Sequence, residues 1–237
     1  MAYSTITDLT QKVKYSFITN GETVTYTLPF VNLKYRVNVR VVDFFPHKLE
    51  DFARPVKART AEFAVLSDNE AESDSDDSEH GNMMGNFTEA NWAWRFYLLL
   101  EDASTPAGQS KNRIWVAVNN EEAQCLTNLD ASNLKMQKQD VQKLRDRLFT
   151  LWGELEEHVT RREVNKAKAA AAAKANLPPS ASDPEGTNEQ PVKNRPFTCC
   201  LHQYGCKVPE EDLQKADAGE GFRWQRMYGL FGTKIRA

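Results

Sequence analysis

The feature that most constrains this chain is a strict alternation of apolar and polar residues between positions 34 and 41. The apolar set is Tyr35, Val37, Val39 and Val41, and the polar set between them is Lys34, Arg36, Asn38 and Arg40. Successive side chains of a β-strand point to opposite faces, so this segment must bury one face and expose the other. A strand of this kind needs neighbours in a sheet, and we therefore predict a mainly β protein.

Further elements follow from the same kind of pattern. Asn20 and Gly21 lie between two alternating runs, which is the strongest short-range signal for a β-hairpin, here over residues 12–28. Apolar residues recur at three- and four-residue steps between positions 141 and 159, which indicates one long amphipathic helix over residues 138–163. The remaining strands are predicted within residues 30–66, 92–118 and 196–235.

Two segments have almost nothing to bury. Residues 67–88 are rich in Asp, Glu and Ser, and residues 175–194 are rich in Pro, Ser, Glu and Asn. We predict an acidic disordered loop for the first segment and a disordered linker for the second.

Five or six strands with a single helix just before the last strands predict one domain over residues 1–237. The expected architecture is a Greek-key barrel of the oligonucleotide/oligosaccharide-binding (OB) kind, mainly β with one long helix and disordered insertions. A β-sandwich is the alternative, although sandwiches usually have more strands and lack a long helix.

Charge and composition exclude several classes of protein. A formal net charge of −3 argues against non-specific coating of nucleic acid as the main task. No apolar run approaches the roughly 20 residues that a membrane span needs, so no membrane association is predicted. The polar N-terminus lacks the apolar core of a signal peptide, and we expect the four cysteines to be reduced thiols of a soluble intracellular protein.

One cluster invites a metal or catalytic interpretation, namely Cys199, Cys200, His202 and Cys206. Adjacent cysteines on a strand point to opposite faces, and structural zinc sites usually need a second pair of ligands elsewhere in the chain. No acidic residue obviously orients His202, as a Cys–His catalytic pair would require. We therefore predict no metal, no cofactor and no enzymatic activity.

Four parts of the chain resemble one known family, in the correct order. They are PFVNLKYR at 29–36 with VVDFFP at 41–46, WRF at 94–96 with LLLED at 98–102, LFTLWGELEE at 148–157, and PFTCC at 196–200 with FGTKI at 231–235. Together they are similar to the C-terminal OB-fold region of fungal protection-of-telomeres proteins, the single-strand-binding subunits of shelterin.

The resemblance implies a function as well as a fold. It implies a telomere end-protection module in the nucleus, at telomeres, that binds the shelterin bridging protein through a short peptide segment. In that family other domains of the parent protein grip single-stranded telomeric DNA, and the module helps to cap the overhang by recruiting the partner. Direct binding of telomeric single-stranded DNA by this barrel is the alternative.

Candidate residues follow for both interpretations. The apolar stripe of the predicted helix is wider than one contact needs, and two apolar side chains lie beside Arg95. These features predict a partner-binding groove between helix and barrel, with Leu148, Phe149, Trp152, Tyr97 and Leu99. For the nucleic-acid alternative, a strand face with cations and an aromatic ring gives Lys34, Arg36, Arg40, Arg95 and Tyr97.

Overall fold

The computed structural model describes residues 3–56, 91–103, 112–174, 194–212 and 214–235. The predicted acidic loop at 67–88 lies outside these residues, as does the predicted linker at 175–194 apart from Asn194. Most of the strand expected up to residue 66 also lies outside them. The assignment of residues 1–237 to a single domain stays a prediction.

The described elements are, in chain order, α1 (Ile6–Thr10), β1 (Lys14–Thr19), β2 (Glu22–Thr27), β3 (Lys34–Phe45), a 3-10 turn (Leu49–Asp51), β4 (Ala53–Pro55), β5 (Trp92–Trp94), β6 (Phe96–Asp102), β7 (Arg113–Val118), α2 (Asn120–Thr127), α3 (Lys138–Trp152), α4 (Leu155–Lys174), β8 (Phe197–Pro209) and β9 (Phe222–Phe231). The predicted mainly β architecture is confirmed.

Five strands close into a barrel in the order β3-β6-β7-β9-β8. All neighbouring pairs are antiparallel except β7 and β9, which run parallel where Ala117 faces Gly229. Strand β8 returns to lie beside β3, on the side of β3 opposite to β6. This return of a later strand to the first barrel strand is the Greek-key arrangement. This topology is consistent with an OB-like fold.

The alternating segment that opens β3 occupies a central place in this barrel. Val37, Val39 and Val41 are fully buried, whereas Lys34 and Arg36 are exposed, as the alternation requires. Strand β3 pairs with β8 along its first half and with β6 along its second half, and Val39 pairs with both neighbours. One strand therefore joins the two parts of the barrel wall.

The prediction of one long helix is wrong. The residues expected in it form two helices, α3 and α4, with a break at Gly153, whose φ of 58° and ψ of −129° are not helical. Arg145 and Glu156 form a bidentate ion pair across this break, with nitrogen–oxygen distances of 2.9–3.0 Å. The short helices α1 and α2 were not predicted either, because each has too few apolar residues to show a helical period.

A second correction concerns the tryptophans that precede the central strand. The alternation of Trp92, Trp94 and Phe96 in the sequence predicts one continuous strand, but β5 leaves the barrel and pairs with β4 instead. Trp94 is buried, and its indole N–H donates to the carbonyl of Leu129 at 3.0 Å. This hydrogen bond joins β5 to the segment between α2 and α3.

Two N-terminal elements differ sharply in their packing. Hairpin β1–β2 turns at Asn20 and Gly21, both with positive φ, and every residue from 11 to 27 is exposed. Helix α1, in contrast, packs into the barrel core with Ile6 and Leu9 fully buried. The buried carboxylate of Asp102 accepts from the backbone N–H of Ile6 at 3.0 and 3.1 Å and so fixes the start of that helix.

Candidate functional site

The helix residues predicted to bind a partner are mostly in the core. Leu148 is fully buried, and Trp152 is only 1% exposed. The Trp152 ring stacks on Phe44 with a centroid distance of 4.7 Å and an interplanar angle of 14°. Neither side chain has surface to offer a partner, so both are removed from the predicted docking set. Phe149, which is 59% exposed, stays available on α3.

The two predicted strand residues lie elsewhere, on the outer wall of the barrel. Tyr97 pairs with Phe45 on β3 and with Ala117 on β7, while Leu99 pairs with Asp43 and Trp115. Phe45 is 50% exposed and Trp115 is 45% exposed, and Tyr97 and Leu99 between them are half-buried. We call these four apolar side chains the wall patch: Phe45, Tyr97, Leu99 and Trp115.

A bulge in β3 explains why Phe45 belongs to this patch. The pairing register shifts between Val41 and Asp43, so that Val42 is an extra residue in the strand. Before the bulge the odd-numbered residues point inward, but after it Phe44 is buried and Phe45 is exposed. Simple continuation of the alternation would have placed Phe45 in the core, so sequence reasoning missed it.

Trp115 was missed for a different reason, although a signal for it existed. Its neighbours Ile114, Val116 and Val118 are apolar and buried, so the alternation along β7 points Trp115 outward. A large exposed aromatic side chain on an ordered strand is a common feature of interaction surfaces.

Ion pairs surround the wall patch. Arg113 Nε lies 3.0 Å from Glu101 Oε2 in the next row of the sheet, and Arg162 from α4 lies 2.7 Å from Asp43 Oδ2. These cations are therefore matched by carboxylates of the chain itself. An apolar centre with a polar rim is the usual arrangement of a protein–protein interface.

The residues predicted for nucleic-acid binding do not form one surface. Lys34 and Arg36 pair with His202 and Cys200 on β8, in the first half of β3. Tyr97 lies beside Phe45, which is nine residues beyond Arg36 along β3. Nine residues correspond to roughly 30 Å of strand at about 3.3 Å per residue. That face is therefore split into two separate regions.

The other two residues of that set belong to neither end of β3. Arg40 is half-buried and donates to the carbonyl of Ala103 at 3.3 Å. Arg95 is half-buried between β5 and β6, where its backbone N–H donates to the carbonyl of Phe52 at 2.8 Å. Neither side chain extends the exposed basic row that Lys34 and Arg36 begin.

The thiols of the predicted cysteine cluster are divided between two faces of β8. Cys199 is buried in the core, where burial raises the pKa of its thiol well above the ordinary value, and Cys200 is half-buried on the other face. Within the described residues no group of three or more His, Cys, Asp or Glu side chains is placed to hold a metal ion. No described helix is long and apolar enough to cross a membrane.

Comparison with solved structures finds a chain of similar fold. The chain is similar to a chain in the crystal structure of fission yeast Pot1 and Tpz1, with 22% sequence identity and a TM-score of 0.50. The match covers 87% of this chain and 84% of that one. It shows a shared fold. No protein-family model matches the chain, and no curated protein matches it by sequence.

Proposed function

We propose that this chain is a non-enzymatic OB-fold module of a telomere end-protection subunit, acting in the nucleus at telomeres. It binds a peptide segment of the shelterin bridging protein and so helps to cap the single-stranded overhang. The observation that carries the proposal is the wall patch, four contiguous apolar side chains on an ordered strand surface. The fold likeness to a chain from a structure of Pot1 and Tpz1 supports the telomeric context.

The surroundings of the patch favour a protein segment over DNA at this position. Single-strand binding needs cations that can meet phosphates, but Arg113 and Arg162 at the rim are matched by Glu101 and Asp43. Apolar side chains of a partner would gain from removing Trp115 and Phe45 from water, at roughly 25 cal/mol per Å² of apolar surface.

The closed barrel also restricts how the segment can bind. Strand β6, which carries Tyr97 and Leu99, is paired with β3 on one side and with β7 on the other, so it has no free edge to which a peptide could add as a further strand. A segment that binds across Tyr97 and Leu99 therefore docks with its side chains. An amphipathic segment that lays its apolar face across Tyr97, Leu99 and Trp115 satisfies this requirement.

A titration with purified bridging protein tests the proposal. We expect Trp115→Glu to weaken the complex by about 2 kcal/mol or more, which is roughly 30-fold, because it places a charge within an apolar contact. Phe149→Glu is the matched control, since it makes the same kind of change at another exposed aromatic residue, outside the patch. Binding should be nearly insensitive to salt.

Two results would contradict the proposal. Unchanged affinity in Trp115→Glu together with loss in Phe149→Glu would assign the partner to the α3 surface that the sequence predicted. Tight, steeply salt-dependent binding of telomeric single-stranded DNA at the wall patch, lost in Trp115→Glu, would assign the patch to the nucleic-acid alternative.

A further inference from the structure

Hairpin β1–β2 is attached to the barrel at its base. The Arg226 guanidinium donates to the carbonyls of Thr10 and Gln11 before β1, at 3.1 and 2.9 Å, and to that of Pro29 after β2, at 3.0 Å. Beyond this base, every residue of both strands is exposed. In the part of the chain that the structure describes, β1 and β2 pair only with each other, so that each strand keeps one outer edge without a neighbouring strand.

One face of the hairpin is apolar and exposed. Tyr15 lies opposite Tyr26, and Phe17 lies opposite Val24. The three rings contact one another with centroid distances of 5.4–6.3 Å, and each of the four side chains is 39–51% exposed. A two-stranded hairpin is only marginally stable in water, whereas three or more strands with an apolar face can form a stable sheet. Additional strands would therefore stabilise this hairpin.

The hydrogen-bond ladder of the hairpin determines which backbone groups point outward. The Leu28 N–H donates to the Val13 carbonyl at 2.8 Å, and in an antiparallel ladder hydrogen-bonded pairs alternate with pairs that are not hydrogen-bonded. Continuing this alternation through the register, the N–H and C=O groups of Thr23, Thr25 and Thr27 point away from β1. We call these outward-pointing backbone groups the β2 edge.

The β2 edge lacks the features that usually protect an exposed strand from pairing. Native proteins place lysine, proline or a bulge on such edges. Strand β2 has neither lysine nor proline, its one charged residue, Glu22, lies at the turn, and its six pairs with β1 run without a shift in register. All three outward positions are threonine, a β-branched residue that favours strands. The outward positions of β1 begin instead with Lys14, so β2 is the less protected edge.

We propose that the β2 edge pairs antiparallel with the β2 edge of a second copy of this chain, so that two hairpins form one four-stranded sheet. With a two-fold axis at Thr25, the outward groups of Thr25 lie opposite those of Thr25 in the second copy, and those of Thr23 lie opposite those of Thr27. Each outward N–H then donates to an outward C=O of the other copy. Val24 lies opposite Tyr26 of the second copy, and such pairs of an aromatic and a β-branched residue stabilise sheets.

The self-complementary register favours a second copy over an unrelated strand. Pairing about Thr25 brings the apolar sides of both hairpins onto the same face of the sheet, whereas a slip by one residue would place them on opposite faces. This register also keeps Glu22 of one copy from lying opposite Glu22 of the other, so that no like charges are paired. The resulting four strands exceed the three that an independently stable sheet needs.

This inference goes beyond the proposed function and does not rest on it. The wall patch belongs to β3, β6 and β7, and in the described sheets β1 and β2 pair with none of these strands. Trp115→Glu should therefore leave self-association unchanged, and a substitution that prevents self-association should leave binding at the wall patch in place. Failure of one proposal can thus be distinguished from failure of the other.

Sedimentation equilibrium of the whole chain under reducing conditions tests the inference. We expect the average mass to rise with concentration from one chain toward two, because a contact through one edge strand is small and interfaces below about 1,200 Å² are usually weak. Thr25→Lys should raise the dissociation constant about fivefold or more, since it sets two like charges opposite each other at the axis. Ser16→Lys is the matched control. It adds the same charge directly across the hairpin and removes the same 2.6 Å hydrogen bond between Ser16 and Thr25, and it should leave the dissociation constant unchanged.

Amide hydrogen exchange followed by nuclear magnetic resonance locates the contact without any substitution. The amides of Thr23, Thr25 and Thr27 should exchange more slowly as the protein concentration rises, because they donate hydrogen bonds in the dimer. The outward amides of Ser16 and Ile18 on β1 should exchange at the same rate throughout.

Four results would overturn the inference. A mass that stays at one chain up to the solubility limit is the first, and equal weakening by Thr25→Lys and Ser16→Lys is the second. Slowed exchange at Ser16 and Ile18 instead of the threonines would move the contact to β1. Slowed exchange at the threonines only after the bridging protein is added would assign the β2 edge to that protein.

Discussion

Trp152 provides the most informative single perturbation of the fold. Its ring is 1% exposed, stacks on Phe44 at 4.7 Å and meets Phe52 edge-on at 6.5 Å. Truncation of a buried tryptophan to alanine costs about 3–5 kcal/mol, and aromatic pairs of this geometry account for roughly 0.5–1.5 kcal/mol each. We therefore expect Trp152→Ala to lower the free energy of unfolding by about 3–5 kcal/mol, a large part of the total for a domain of ordinary stability.

Urea unfolding followed by far-ultraviolet circular dichroism measures this loss. Trp152→Phe keeps a ring against Phe44 and should cost clearly less, which provides a folded variant if Trp152→Ala is too unstable. Phe149→Ala, three residues away but 59% exposed, should change stability by less than about 0.5 kcal/mol. A loss below about 1 kcal/mol for Trp152→Ala would refute the placement of this ring in the core.

Two further predictions concern groups packed against the barrel. Burial raises the pKa of Asp102 above its usual 3.8, so the folded protein holds this proton more tightly than the unfolded chain does. The stability that this group contributes is thus fully present below pH 3.8 and is lost as the pH rises through the folded pKa. The urea midpoint of Asp102→Asn should therefore decline less over that pH range than the midpoint of the unchanged protein. An identical pH profile for the two proteins would contradict the burial argument. Gly229→Ala should destabilise the protein by about 1–3 kcal/mol through overlap with His202, measured by thermal unfolding. Adding His202→Ala should restore most of that loss, and simple additivity of the two changes would refute the overlap.

The outcome for β3 shows how far sequence patterns reach. Alternation from Lys34 to Val41 correctly predicts the burial of Val37, Val39 and Val41, because the pleat of a strand allows only two faces. The bulge at Val42 has no comparable signature, since a single extra residue is set by pairing with β6 rather than by local preference. The alternation therefore did not identify Phe45 as exposed, and this part of the wall patch was missed.

In the helical region the error concerns residues that were predicted to be exposed and are buried. The sequence predicts the apolar stripe of α3, but it assigns Leu148 and Trp152 to a partner groove, and Trp152 with Phe149 to excess apolar surface, because it does not reveal the width of the core that the helix covers. Phe44 and Phe52 come from distant positions to meet Trp152, and only the tertiary structure shows these contacts. The break at Gly153 was visible as a glycine within the pattern, yet a lone glycine inside a helix is also tolerated.

The nucleic-acid residues were divided by the closure of the barrel. Lys34, Arg36 and Arg40 follow one another along β3, so the sequence placed them with Tyr97 and Arg95. Which neighbour flanks each half of β3 depends on long-range pairing, with β8 at one end and β6 at the other. Lys34 therefore lies beside His202 and Phe231, and Arg36 lies beside Cys200, a grouping that no local pattern predicts.

The indole N–H signals of the five tryptophans provide the most direct test of the wall patch as the partner site. In a proton–nitrogen correlation spectrum of the chain, addition of the bridging protein's segment should shift the Trp115 signal strongly, because that ring belongs to the wall patch. The signal of buried Trp152 should stay in place. A shift of Trp152 with an unmoved Trp115 would contradict the account.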